Sequence, residues 1–387
     1  MDRIKVGNSQ YIRDLNLAGI FKLIHQYGPV SRKELAENTG YSAATISNHV
    51  KRLISMGFVI ETEKGSSTGG RKPVYLTVNP DKGRIFSIDI EVKQVKLVMF
   101  NLKLELEGQK TFPIFDKDKP EGVIRQILLE IEKMLQEMGL TAEDILGLGV
   151  AVPGLVDRGK NLLEFAPNLG WRNLEVVKPF AKKYSLPIVL ENEAKAAAIG
   201  EREFVYPQAK NMVYISINEG IGCGIIFDGE LYRGASGNAG EFGHIIIDSD
   251  GPKCHCGNHG CWETLASENF IINSYARLNN IMLTKDEIYQ KGKEGEQGVI
   301  EIFKETGKNI GIGLVNILNS LSPELMVIGG DITRIKDYIF PDIINVLKEK
   351  ALSISHEKAD IKFSKLGNLA TVYGLAKLVF DKSIDFV

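Results

Sequence analysis

Three of the four cysteines in the chain crowd into one short stretch, GPKCHCGNHGCWE, as Cys254, Cys256 and Cys261. No other feature constrains the fold as tightly. Four cysteines in 387 residues are no disulfide scaffold. Three clustered thiolates read instead as ligands of a soft metal. With one imidazole added they satisfy tetrahedral zinc and leave no open position, so the ion is expected to be structural and not to activate water. Gly251, Gly257 and Gly260 let the loop turn tightly enough for three sulfurs to converge. Spacing alone leaves the fourth ligand open among His244, His255 and His259. Cys223 stands apart and reads as packed.

A second constraint comes from the charge distribution. The chain carries 47 Lys and Arg against 49 Asp and Glu, a net charge of −2, but the two signs are not evenly spread. Residues 1–80 hold 11 basic against 6 acidic side chains, and the remainder holds 36 against 43. A basic segment on an acidic body suggests that the N-terminal part faces an anion. Its pattern agrees. A helix is expected over Ser9 to Tyr27, ended by Gly28-Pro29. Ser31-Arg32-Lys33-Glu34 has the form of a capping box and starts a second helix, which ends near Gly40. Ser42 caps a third, whose apolar face is Ile46, Val50, Leu53 and Ile54, and Gly57 stops it. Phe58–Glu63 and Val74–Val78 then read as a hairpin. Helix, turn, helix and hairpin in that order predict a winged helix-turn-helix over residues 1–80, binding DNA. The exposed face of the third helix carries Ala44, Thr45 and Asn48 near its start, where short side chains reach base edges. Lys51 and Arg52 are placed for phosphates, and Arg71 and Lys72 at the hairpin tip for a minor groove.

Residues 79–84 form a short connector, and 387 residues are too many for one ordinary core. Strands are expected at Ile85–Ile90, Val95–Phe100, Leu104–Lys110 and Leu146–Val152, with a helix at Ile124–Met138. A second strand set begins at Met212–Ile217 and continues through Gly224–Phe227 and Glu230–Tyr232. A helix at Phe303–Leu321 and a strand at Leu325–Ile328 follow. Two similarly ordered halves suggest an internally duplicated α/β body. The first residues lack an apolar signal segment, and Leu146–Leu155 is too short to span a bilayer, so a cytoplasmic protein without a membrane partner is expected.

The stretch from Gly243 to Glu263 resembles the signature of the family of repressors, open reading frames and sugar kinases known as ROK. VAVPGLVD at 150–157, APNLGW at 166–171, ENEAKAAAIGE at 191–201 and SPELMVIGG at 322–330 agree with it. The resemblance covers essentially the whole chain, including the basic head that marks the repressor branch. ENEA, the cysteine loop and STGGRKP together resemble the xylose repressors of Gram-positive bacteria. What the resemblance implies is an α/β fold: a winged helix-turn-helix followed by a two-lobed actin-like (sugar kinase/RNase H-like) body over 81–387, with a zinc loop at 244–261. It assigns the zinc to His244, Cys254, Cys256 and Cys261. It places sugar against Asn168, Asn192, Glu193, Glu241, His244 and Glu263. Paired carboxylates and amides suit hydroxyls that both donate and accept. Trp171 is expected to pack a lobe and not to stack on sugar.

Departures from the kinase pattern bear on activity. Kinases of the family carry Asp-x-Gly-Gly-Thr and Gly-Thr-Gly phosphate loops; this chain has Asp89-Ile90-Glu91-Val92-Lys93 and Asn218-Glu219-Gly220. Two added carboxylates oppose a triphosphate, which needs donors and positive charge. Glu193 replaces the kinases' aspartate base. The expectation is therefore a repressor without enzymatic activity. It would be a homodimer on a palindromic operator, released by a monosaccharide, xylose or another aldose. The alternative is an ATP-dependent sugar kinase.

Overall fold

The computed structural model describes residues 9–62, 74–352 and 359–384. The N-terminal head is built from α1 (Ser9–Tyr27), α2 (Arg32–Thr39) and α3 (Ala43–Ser55). Local side-chain chemistry sets their ends. Ser31 Oγ accepts from the Glu34 amide and Glu34 Oε2 accepts from the Ser31 amide, which closes the expected capping box. Gly40 ends α2 at a φ of 71°, and the Ser42 hydroxyl accepts from the Thr45 amide to start α3. α3 buries Ile46, Val50 and Leu53. Strands β1 (Val30–Ser31), β2 (Val59–Thr62) and β3 (Tyr75–Val78) complete the head as a small antiparallel sheet, the base of the wing. Arg71 and Lys72 lie outside the described residues.

The body repeats one plan twice. In the first lobe β4 (Arg84–Ile90), β5 (Gln94–Asn101) and β6 (Leu106–Pro113) form an antiparallel meander, and β7 (Ile145–Val152) and β11 (Ile188–Asn192) add in parallel beyond β4. Helix α4 (Pro120–Glu137) covers this sheet, and the excursion before β11 holds a small sheet of β8 (Leu155–Asp157), β9 (Leu162–Ala166) and β10 (Trp171–Leu174), then α5 (Lys178–Lys183). In the second lobe β12 (Met212–Ile217), β13 (Ile221–Phe227) and β14 (Glu230–Tyr232) make the meander, with β15 (Leu325–Gly329) and β16 (Asp360–Phe363) added in parallel. Both sheets therefore run third, second, first, fourth, fifth in chain order. This is the duplicated α/β body that the strand pattern suggested. Trp171 is 3% exposed within the first lobe's core, a packing residue as expected.

Helices carry the connections: α6 (Glu193–Phe204), α7 (Trp262–Ala266), α8 (Glu268–Asn279), α9 (Lys285–Lys293), α10 (Gln297–Leu321), α11 (Lys336–Lys350) and α12 (Ala370–Ser383). α10 begins before Phe303 because Val299 and Ile302 extend its buried face by one turn. Two contacts position the site. α6 and α12 cross backbone to backbone: a Cβ on Gly374 would lie 1.8 Å from the Ala196 carbonyl oxygen, and one on Gly200 would lie 2.2 Å from that of Ala370. Toward its C-terminal end α12 joins the head, where Ala376, Val379 and Phe380 share one core with Leu17, Ile20, Phe21 and Ile24 of α1. The periodicity of neither helix announces that contact.

Candidate ligand cleft, metal centre and nucleic-acid face

The cysteine loop folds back on itself through two isolated bridges, Ile246 to Cys261 and Lys253 to His259. Gly260, at a φ of 65°, lies where a Cβ would come 1.4 Å from the Asp248 carbonyl oxygen, so only glycine permits the turn. This brings His244, Cys254, Cys256 and Cys261 together, with their ligand atoms all within 4.8 Å of one another. Cys256 and Cys261 sulfurs are 3.6 Å apart, and Cys254 Sγ is 3.6 Å from His244 Nδ1. Ligands about 2.0–2.3 Å from a tetrahedral ion stand at such separations. Of the three histidines that spacing left open, His244 joins the cluster, while exposed His259 faces the Gly251 carbonyl at 3.2 Å. The donor set fits a closed zinc site. With Nδ1 turned to the sulfurs, His244 keeps Nε2 free.

The metal loop forms one wall of the interlobe cleft. Asn192 caps α6: its Oδ1 accepts from the Ala194 and Lys195 amides, and its Nδ2 donates to the Gly154 carbonyl at 3.1 Å and to Glu193 Oε2 at 2.8 Å. The Asn192 side chain is thus fully engaged in aiming Glu193. Gly222 leaves room there, since a Cβ on it would lie 3.3 Å from Glu193 Oε1. Burial raises the Glu193 carboxyl to about 8, and Asp89 and Glu241 push the same way. The Glu241 carboxyl is also raised, first by desolvation, against the pull of Lys195 and His244. Glu263 reaches the metal cluster, its Oε1 accepting from Cys254 Sγ at 2.9 Å and lying 3.6 Å from His244 Nδ1. Its other oxygen lines Gly220, where a Cβ would sit 2.8 Å from Glu263 Oε2 and 3.6 Å from Asn168 Nδ2. Asn168 and Glu263 therefore face each other across the Gly220 turn.

Sequence reasoning missed three neighbours of this site. Lys195 is 4% exposed, and its ammonium donates to the Gly237 carbonyl at 2.6 Å. A lysine inside the small-residue run AKAAA was the available signal. Glu191 accepts from Arg233 at 2.8 Å, and Asp89 is buried with its carboxyl raised to about 7, chiefly by desolvation and then by Glu91. No local pattern marks those two roles.

The two loops whose sequences depart from the kinase phosphate motifs are internally satisfied. Glu91 takes the ammonium of Lys96 at 3.0 Å and the amide of Gln94 at 2.7 Å. Lys93 of the first lobe pairs with Glu219 of the second at 3.4 Å. Asn218 Oδ1 accepts from the Asp331 amide, and Lys285 joins Glu268 to Asp331.

On the head, Ala44, Asn48 and Lys51 are exposed along α3. Thr45 Oγ1 lies 2.9 Å from Ser42 Oγ. Arg52 is tied to nearly buried Asp14 of α1 at 2.8 Å, so its guanidinium braces the head as well as edging this face.

Residues 85–382 match the model of the ROK family, and residues 13–60 match that of winged helix-turn-helix DNA-binding domains. The xylose repressor of Bacillus subtilis (strain 168) is 32% identical over 99% of both chains. Among solved structures, a ROK family transcriptional regulator described as a homologue of the Escherichia coli MLC protein superposes with a TM-score of 0.81 at 27% identity, covering 97% of each chain. A ROK family glucokinase from Streptomyces griseus, solved with glucose and AMPPNP, superposes with a TM-score of 0.67 at 25% identity, covering 76% of this chain and 99% of its own. No helix among the described residues is long and apolar enough to cross a membrane.

Proposed function

The chain belongs to the ROK family, and from that premise we propose that it is a sugar-responsive transcriptional repressor whose inducer is built on xylose. One observation carries this reading: a single chain joins an exposed recognition helix to a carboxylate-lined cleft whose phosphate loops are closed by their own ion pairs. Two protomers would bind a palindromic operator in the cytoplasm, each placing Ala44, Thr45 and Asn48 against base edges and Lys51 against phosphate. Arg71 and Lys72 would extend the contact from the wing, and Arg52 adds a phosphate contact beyond its brace to Asp14.

Sugar hydroxyls would meet Glu193, Glu241, Glu263, Asn168 and the free nitrogen of His244, with Asn192 setting the position of Glu193. Zinc held by His244, Cys254, Cys256 and Cys261 would fix the His244 ring and the wall carrying Glu263. The ion supplies shape and orientation; no reaction step passes through it.

Phosphoryl transfer is opposed on two counts. Lys93 and Lys96 are engaged by the loop carboxylates Glu219 and Glu91, which takes up the positive charge that a triphosphate would need there. Glu193 is also one methylene longer than the aspartate base that the resemblance implies for the kinases, and a displacement near about 1 Å can cost about 100-fold in rate.

The coupling runs through two helices. α6 starts at Glu193, crosses α12 backbone to backbone, and α12 ends in the core of the head. Closure of the cleft on sugar shifts α6, and α12 carries the shift to α1. The sugar acts only through its different affinity for the two states. A gel shift on the promoter beside its own gene, with and without xylose, tests the reading. Release of DNA supports it; sugar-dependent ADP production in a coupled assay contradicts it.

A further inference from the structure

Beside the sugar residues the cleft opens into a cavity of about 790 Å³. Asn168, Glu219 and Glu263 line it. One face of α8, carrying Asn269, Asn273 and Arg277, lines it too, as does Lys253 of the metal loop. Glu193, Glu241 and His244 do not line it, so this space is additional to the volume beside them. Pockets of about 300–1,000 Å³ hold ligands of drug size, well beyond one five-carbon ring.

The wall chemistry narrows the occupant. Asn273 makes no side-chain hydrogen bond among the described residues, and Arg277 spends one donor on Ser274 Oγ at 3.2 Å. Asn269 donates to the Glu219 carbonyl at 2.7 Å and keeps its own oxygen available. Amides that donate and accept, beside carboxylates that accept, match hydroxyls. The Glu219 and Glu263 carboxylates disfavour phosphate beside them, and Lys93 is held by Glu219; the cations that line the cavity are Lys253 and Arg277.

We propose that this cavity is a second sugar subsite, and that the ligand filling the whole cleft is a glycosidically linked pair of pentoses. One ring lies against Glu193, Glu241 and His244. The next lies against Asn273 and Arg277, with Asn168 and Glu263 at the junction. This rests on the sugar-binding reading above and extends it from a monosaccharide to a disaccharide.

Calorimetric titration of the full chain with xylose, with its β-1,4-linked dimer and with magnesium AMPPNP tests the assignment. The dimer should bind at least about tenfold more tightly than xylose, a difference of about 1.4 kcal/mol. The double variant Asn273→Ala, Arg277→Ala, at two exposed positions, should lose that gain and keep the xylose affinity. Xylose binding with no gain for the dimer would overturn the subsite alone. AMPPNP binding that the double variant abolishes would reassign the cavity to nucleotide. If neither sugar bound, the sugar reading itself would fall, and the subsite with it.

Discussion

Phe21 of the head and Phe380 of the last helix stack with ring centroids 5.7 Å apart and planes 25° from parallel. The His25 ring lies 4.3 Å from Phe380, and Lys22 pairs with Asp381 at 3.7 Å. At the other end of the same helix the Thr371 hydroxyl donates to the Glu193 carbonyl at 3.4 Å. One helix therefore touches both the backbone of the candidate sugar residue Glu193 and the core of the DNA-binding head. Replacing Phe380 by Leu keeps an apolar contact but loses the stack. Operator affinity without sugar should change little, while the ratio of affinities with and without sugar should fall by about tenfold, or about 1.4 kcal/mol of coupling. Fluorescence anisotropy on labelled operator reads both numbers, and sugar affinity measured separately should stay within about twofold.

The metal loop gives a compositional prediction. Cys256→Ser removes an exposed ligand at little packing cost, so the chain should still fold. Metal analysis should show zinc falling well below one ion per chain, with sugar affinity weakened about tenfold or more, the usual scale for support around a metal site. Full zinc occupancy in this variant would show that the ligand set is different.

The raised carboxyls predict how stability depends on pH. Glu193 at about 8, Asp89 at about 7 and Glu268 at about 7 all bind protons more tightly in the folded chain than in the unfolded one. Between roughly pH 4.5 and 8 the unfolded state releases these protons first, so this contribution is full at low pH and is lost as pH rises through the folded values. Thermal melts should show this loss between roughly pH 4.5 and 8. Glu193→Gln, neutral at every pH, should flatten the upper part of the curve; an unchanged slope would mean that Glu193 is not the titrating group.

The head divides into base-reading and phosphate-contacting positions. Lys51→Ala should weaken binding to all sequences alike and reduce the slope of log K against log salt by about 1. Asn48→Ala should instead relax discrimination at one base pair, by about 1–3 kcal/mol. Arg52 is a poorer probe, because removing it also breaks its ion pair with Asp14 inside the head. A salt series on specific and scrambled duplexes separates these outcomes.

The head and the metal site were the most legible parts of the chain, because both are written locally. Ser31 with Glu34, Ser42, and the Ile46, Val50 and Leu53 stripe each specify structure within a few residues. Spacing left the histidine partner of the three cysteines open, since His244 stands ten residues from Cys254 and two nearer histidines competed; the family resemblance pointed to His244, and the fold brings it beside them. The cleft was legible through family motifs, but its electrostatics were not. Glu91 with Lys96 and Lys93 with Glu219 are loop pairings, the second between lobes, that no periodicity encodes. The α12 contact with α1 joins the two ends of the chain and depends on the whole body being in place.

Operator affinity as a function of sugar tests the central claim most directly. Anisotropy titrations of the full chain on its operator, without sugar and with saturating xylose or its dimer, should show the dissociation constant rising about 100-fold, equivalent to about 2.7 kcal/mol of coupling, and Glu241→Ala should bind operator normally but abolish the rise. An operator affinity indifferent to every pentose and hexose tried, alongside sugar-dependent ADP release, would contradict the account.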